Sequence, residues 1–239
     1  MKNLELISKL REYFVNQSVM TSKEITDVLG ALLPDVSTNT LSWKINQLKQ
    51  EEYIFQIGRG LYSFEYKPVY EPLLSLKAKR IYNRVKPFCK TDLVIWDTHM
   101  LHEMTGVKTT KHWWFLATNK KEVKYVFDGM LDFSKQVFLQ PDKEIMNRYM
   151  MPLDEAIVLN PLVTETPLVQ DGEYTTMAIE AVLVDLFFHA DTYLVALGYS
   201  IQELFAGAFS KYAINQSKLL RYAARRDKRN EIEELLSVI

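Results

Sequence analysis

A short run of side chains between positions 38 and 59 has the chemistry needed to read a DNA duplex. Thr38, Asn39, Thr40, Trp43, Lys44 and Gln47 lie in one stretch, and Arg59 stands between two glycines. Asn and Gln amides match an adenine edge with two hydrogen bonds, and Lys reaches guanine or phosphate. Arg at a loop tip touches the backbone or enters a minor groove. Leu41, Ile45 and Leu48 occupy the intervening positions. One helix can therefore turn those three inward and leave the polar set outside. A polar face opposite an apolar stripe is also what an ordinary solvated helix offers, and Trp43 is equally a candidate core aromatic. A second basic cluster, Lys218, Arg221, Arg225, Arg226, Lys228 and Arg229, sits near the C-terminus. It reads either as a second basic surface for nucleic acid or an acidic partner, or as a helix laced with ion pairs.

Other chemistries leave weaker traces. Asp92 and Asp97 have no Gly-Ser turn ahead of them, so the nucleotidyltransferase pattern is missing. There is no P-loop and no GxGxxG. His99 and His102 are three apart with His112 nearby, but no HExxH accompanies them. No metal, no cofactor and no enzymatic activity are expected. Trp96, Trp113, Trp114 and Phe115 can stack bases or line a pocket, and more often such a cluster is core. Two alternatives stand beside DNA binding. One is a metal-dependent nuclease using Asp92, Asp97 and His99 under a winged-helix head. The other is a winged-helix module that binds protein.

These residues need elements to position them. Leu4, Ile7, Leu10 and Phe14 predict an amphipathic helix over 3–16, with a break at 16–20. Thr21-Ser22 can cap a helix over 23–29 that Gly30 and Pro34 end. Ser37-Thr38 can cap a third helix to Gln50. Tyr53–Ile57 and Leu61–Phe64 are rich in β-formers, and the glycines at 58 and 60 suit a tight hairpin. Three helices and a hairpin predict a winged helix-turn-helix over 1–68. Pro68 and Pro72 mark a linker over 69–77.

Residues 78–239 form the second expected domain. Its predicted helices are 77–85, 176–189, 198–211 and 217–236, the last with a break near Asp227. Its predicted strands are 92–96, 113–118, 124–127, 136–138 and 156–159. The fold class expected is α+β: an N-terminal winged helix-turn-helix plus a mixed α/β C-terminal domain ending in helices. The helix around 178–189 is apolar almost all round and should be central. Glu180 and Asp185 on it then need partners, for which Arg221 or Arg225 are candidates.

The 239 residues carry a net charge of -1, with 48% hydrophobic and 25% charged side chains. A largely disordered chain is excluded. Acidic and basic side chains cancel over residues 1–70, so tight DNA binding would call for a homodimer or a second basic surface. The first residues are interrupted by charges, and the most apolar stretch, 178–190, is too short to cross a bilayer. One cysteine, Cys89, suits a reducing compartment. A soluble cytoplasmic protein is expected.

Thr21–Phe64, ending in Gly58-Arg59-Gly60-Leu61-Tyr62, resembles the winged-helix head of AbiEi-type antitoxins, abortive-infection proteins of phage defence. Val158–Leu168 (VLNPLVTETPL) followed by Ile179–Phe187 is similar to that family's E-x-x-L-V-D-L helix and its approach. Ser217–Leu236 is similar to its L-x-x-Y-A-x-R segment, with Asp227 standing where glycine is expected. The resemblance implies a transcriptional repressor of its own operon that binds inverted repeats. It also implies an antitoxin opposing a nucleotidyltransferase-like toxin through the C-terminal domain.

Overall fold

The computed structural model describes residues 3–15 and 19–239 and is of the mixed α+β class. It divides into two compact units, one running to Val69 and including Tyr212–Ser217, the other made of Tyr70–Lys211 and Lys218–Ile239. Residue 16, the expected end of the first helix, and most of the expected break after it lie outside the described residues.

The first unit contains α1 (Asn3–Tyr13), β1 (Met20–Thr21), α2 (Ser22–Leu32), α3 (Thr38–Gln50), β2 (Phe55–Gly58) and β3 (Leu61–Ser63). The three strands form one antiparallel sheet in the order β1-β3-β2. The buried stripe of α1 is Leu6, Ile7 and Leu10, continued by Phe14 just past its end, while Leu4 is 66% exposed. The expected stripe therefore holds with Leu6 in place of Leu4. Thr21 closes a capping box with Glu24 at the start of α2.

That helix runs through Gly30 and stops at Leu32. Leu33 is the last residue before Pro34, and its backbone leaves the helical region, which a following proline disfavours. The proline rather than the glycine therefore ends the helix. Ser37 caps α3, whose buried residues are Leu41, Ile45 and Leu48. These side chains join those of α1 and α2, with Ile54 and Tyr62, in one core.

The second unit is built on a four-stranded sheet. Its elements begin with α4 (Leu76–Val85), β4 (Leu93–Asp97), α5 (His99–Thr105), β5 (His112–Thr118), α6 (Val123–Met130), β6 (Val137–Leu139) and α7 (Lys143–Ile145). They continue with β7 (Glu155–Pro161), β8 (Leu168–Asp171), β9 (Tyr174–Met177), α8 (Ile179–Phe188), α9 (Val195–Leu197), α10 (Ile201–Lys211), α11 (Gln216–Arg225) and α12 (Arg229–Leu236). The strand order is β4-β5-β7-β6, with β4 antiparallel to β5 and the other pairs parallel. Parallel strands covered on both faces read as unbroken apolar runs. All of β4 is buried, and β5 is buried from Trp113 onward.

Three expectations change here. Residues 124–127 are helix, not strand: Val123, Val126 and Met130 face inward at helical spacing while Tyr125 is exposed. Residues 174–177 are strand, paired with 168–171 across a turn where Gly172 takes a φ of 61°. Helix α8 therefore starts later than expected. Tyr70 and Leu74, in the segment expected to be a linker, are buried in the second unit. Asp227 does stand at a left-handed turn between α11 and α12, with φ 53°. That is the conformation for which glycine is the default residue.

Helix α8 is buried along nearly its whole length. Its two acids find partners at four-residue intervals on and just after α11. Lys218 Nζ lies 3.2 Å from Glu180, and Arg226 lies 3.0 Å from Asp185. The Tyr222 hydroxyl donates to Asp185 at 2.8 Å. The expected partners Arg221 and Arg225 lie on a different face. Arg221 is exposed, and Arg225 pairs with Glu165. Among the described residues no helix is long and apolar enough to cross a membrane.

Candidate nucleic-acid interface

Helix α3 sorts its residues by a 100° step. With Leu41, Ile45 and Leu48 buried, the opposite face carries Asn39, Trp43, Asn46 and Gln50, all exposed. Trp43 is 61% exposed, so it is a surface side chain and not core. Thr38 and Thr40 are exposed at the helix start, where the Ser37 hydroxyl accepts from the Thr40 amide and lies 3.0 Å from its hydroxyl.

Lys44 and Gln47 flank this stripe and are partly buried. Lys44 Nζ donates to Gln47 Oε1 at 3.0 Å, Gln47 Nε2 donates to Glu51 at 2.8 Å, and Asn3 donates to the other Glu51 oxygen at 2.7 Å. A ligand reaching Lys44 or Gln47 must break into this chain of hydrogen bonds. Asn46 and Gln50 were passed over in the sequence although they repeat the Asn39–Trp43 spacing. Helical phase alone would have found them.

The hairpin that follows is joined through Arg59 and Gly60, with Gly58 paired to Leu61 after a register shift. Gly60 has φ 71°, and its carbonyl accepts from the Ser22 amide at 2.8 Å. The loop is thereby tied to the start of α2, and Arg59 is left exposed. Gly58 keeps an ordinary negative φ, so only one of the two glycines supplies left-handed backbone.

The C-terminal basic cluster is largely neutralised. Lys218, Arg225, Arg226, Lys228 and Arg229 each meet a carboxylate, and the Arg226 side chain is only 15% exposed. Arg226 is therefore an interior residue rather than part of a surface, and Arg221 keeps its charge toward solvent.

The other sequence candidates are placed as follows. Trp96, Trp113, Trp114 and Phe115 are buried in the second unit, and Trp96 stacks on Phe115 with centroids 4.2 Å apart. Asp97 accepts from Ser75 Oγ and the His99 amide, and burial pushes its carboxyl above the usual range. His99 lies 3.7 Å from Glu103 and forms an edge contact with His102. Among the described residues no three His, Cys, Asp or Glu side chains converge to hold a metal ion. The nuclease alternative thus finds Asp97 bonded within its own neighbourhood.

Fold and site together define an α+β protein whose first unit presents an exposed amide-and-indole helix face followed by a short hairpin. The chain belongs to a family of unknown function (DUF6577), whose model matches residues 40–239. No curated protein and no solved structure matches it.

Proposed function

We propose that the first unit is a winged helix-turn-helix that binds double-stranded DNA, with α3 in the major groove and Arg59 on the hairpin touching the backbone or minor groove. The observation that carries this reading is the exposed stripe Asn39, Trp43, Asn46 and Gln50 on a capped helix whose other face is core. Amides on that stripe suit adenine edges, and the indole suits a thymine methyl. Thr38 and Thr40 at the helix start suit phosphate oxygens. By its resemblance to AbiEi-type antitoxins, the protein is an autorepressor that binds promoter inverted repeats, and the balanced charge of residues 1–70 calls for a homodimer on the DNA. By the same resemblance to AbiEi-type antitoxins it opposes a nucleotidyltransferase-like toxin.

A gel shift on the chain's own promoter tests the DNA reading. Saturable binding is expected, weakened about tenfold to a hundredfold by Asn39→Ala, in line with about 1–3 kcal/mol per base contact. Arg59→Ala should weaken binding to all sequences alike. Unchanged affinity in both variants would sink the docking. Co-expression with a neighbouring toxin gene tests the antitoxin role through growth rescue.

One observation favours a protein partner instead. Trp43 is the kind of exposed aromatic that anchors protein interfaces. If that reading holds, promoter DNA gives no shift at physiological salt, and Trp43→Ala abolishes capture of the partner.

A further inference from the structure

A cavity of about 260 Å³ opens in the second unit at the carboxyl ends of its parallel strands. Gln140 and Pro141 follow β6, Asn160 and Pro161 end β7, and Ala117 lies near the end of β5. This is where open α/β sheets bind their ligands. Gln140 at the rim has φ 44°, left-handed backbone in a residue with a side chain. Such strain gathers at functional sites. The far wall comes from the end of α8 and from Ala190–Leu194, a π-helical turn that follows it. That turn sets His189 and Tyr193 ring against ring, 4.7 Å between centroids. Turns of this kind are also frequent at functional sites.

The wall is polar but electrically balanced. Asp185 and Arg226 neutralise one another at 3.0 Å. His189 is neutral, its imidazole pushed down to about 4 by burial and by Arg226. Two polar atoms there have no hydrogen-bond partner: the Tyr193 hydroxyl and Arg226 Nε. Tyr193 is 2% exposed, and burial pushes its hydroxyl up to about 12. The Asn160 amide stands near that hydroxyl without a hydrogen bond of normal geometry. Trp96, Phe115 and Phe188 supply aromatic surface.

We propose that this cavity binds an uncharged planar heterocycle of nucleobase size. A balanced wall gives no net reward to an anion or a cation. Amides at 140 and 160, a neutral imidazole and a tyrosine hydroxyl offer donors and acceptors to a ring edge, and Trp96, Phe115 and Phe188 line the cavity with apolar surface. The volume falls below the roughly 300–1,000 Å³ of sites for drug-sized ligands, which limits the occupant to one or two rings.

The test titrates the full chain with free adenine, guanine, cytosine and uracil, followed by calorimetry and tryptophan fluorescence. At least one base should bind at one per chain and change the fluorescence. Asn160→Ala and His189→Ala should each weaken it about tenfold or more. Tyr193→Phe, which keeps the ring, should also weaken it and serves if either alanine variant fails to fold. Three results overturn the proposal. No base binds the folded chain; inorganic phosphate displaces the base; or the folded variants bind as tightly as the parent.

Discussion

The His189 imidazole is held at about 4, below its ordinary 6.5, first by burial and then by the nearby Arg226 charge. Asp185 and Tyr193 share its surroundings. Between those two values the unfolded chain holds a proton that the folded chain lacks. Stability therefore rises with pH across that window and is lost as pH falls through it. The full effect is worth about 3 kcal/mol. His189→Gln removes it, so urea unfolding at about pH 7 and about pH 4.5 should show the parent losing roughly 2 kcal/mol more than the variant. Equal losses would mean that the folded state protonates this ring freely. At this scale the sequence was informative about type and poor about partners. Asn39 could be assigned outward because its phase against Leu41, Ile45 and Leu48 is local, whereas Trp43 stood equally as a core candidate until its 61% exposure placed it on the surface. The partners of Glu180 and Asp185 could not, because whether α11 presents 218, 222 and 226 or 218, 221 and 225 depends on its rotation against α8.

Two glycines within helices make opposite demands. At Gly207 on α10 an added Cβ would meet the Met104 carbonyl oxygen of α5 at 2.6 Å. Gly207→Ala should force the helices apart and cost about 1–3 kcal/mol. At Gly30 on α2 the nearest atom would be Leu41 Cδ1, 3.6 Å away, with negative φ. Gly30→Ala should add about 0.5–1 kcal/mol, because helical glycine is entropically costly. Thermal unfolding of the two variants should move in opposite directions, and a loss of stability in Gly30→Ala would contradict the unstrained van der Waals contact with Leu41 there. The caps at Thr21 and Ser37 were legible because they are short-range hydrogen bonds. Helix α6 was misread as a strand because Val, Tyr and Phe carry β propensity, while the spacing of its buried residues is helical. The hairpin 168–177 was missed despite its Asp171-Gly172 turn, since its second strand runs directly into the apolar stretch 178–190.

Across the whole molecule charge is nearly balanced, and the C-terminal basic residues mostly meet carboxylates. DNA binding through α3 and Arg59 alone should then be only modestly salt-dependent. With two or three phosphates neutralised per chain, log K should fall against log salt with a slope of about -2 to -3. A slope of about -6 or steeper per chain would implicate further basic surface, beginning with Arg221. The sequence by itself determined the α+β class, the capped helices of the first unit, the inward stripe Leu41, Ile45 and Leu48 of α3 and the buried character of α8, because periodicity and capping act over a few residues. Only the tertiary structure decided which acid meets which base, that Arg226 is interior, and that the ends of β6 and β7 enclose a cavity with α8. Those outcomes join residues tens of positions apart, and local spacing carries no information about how distant elements rotate and pair.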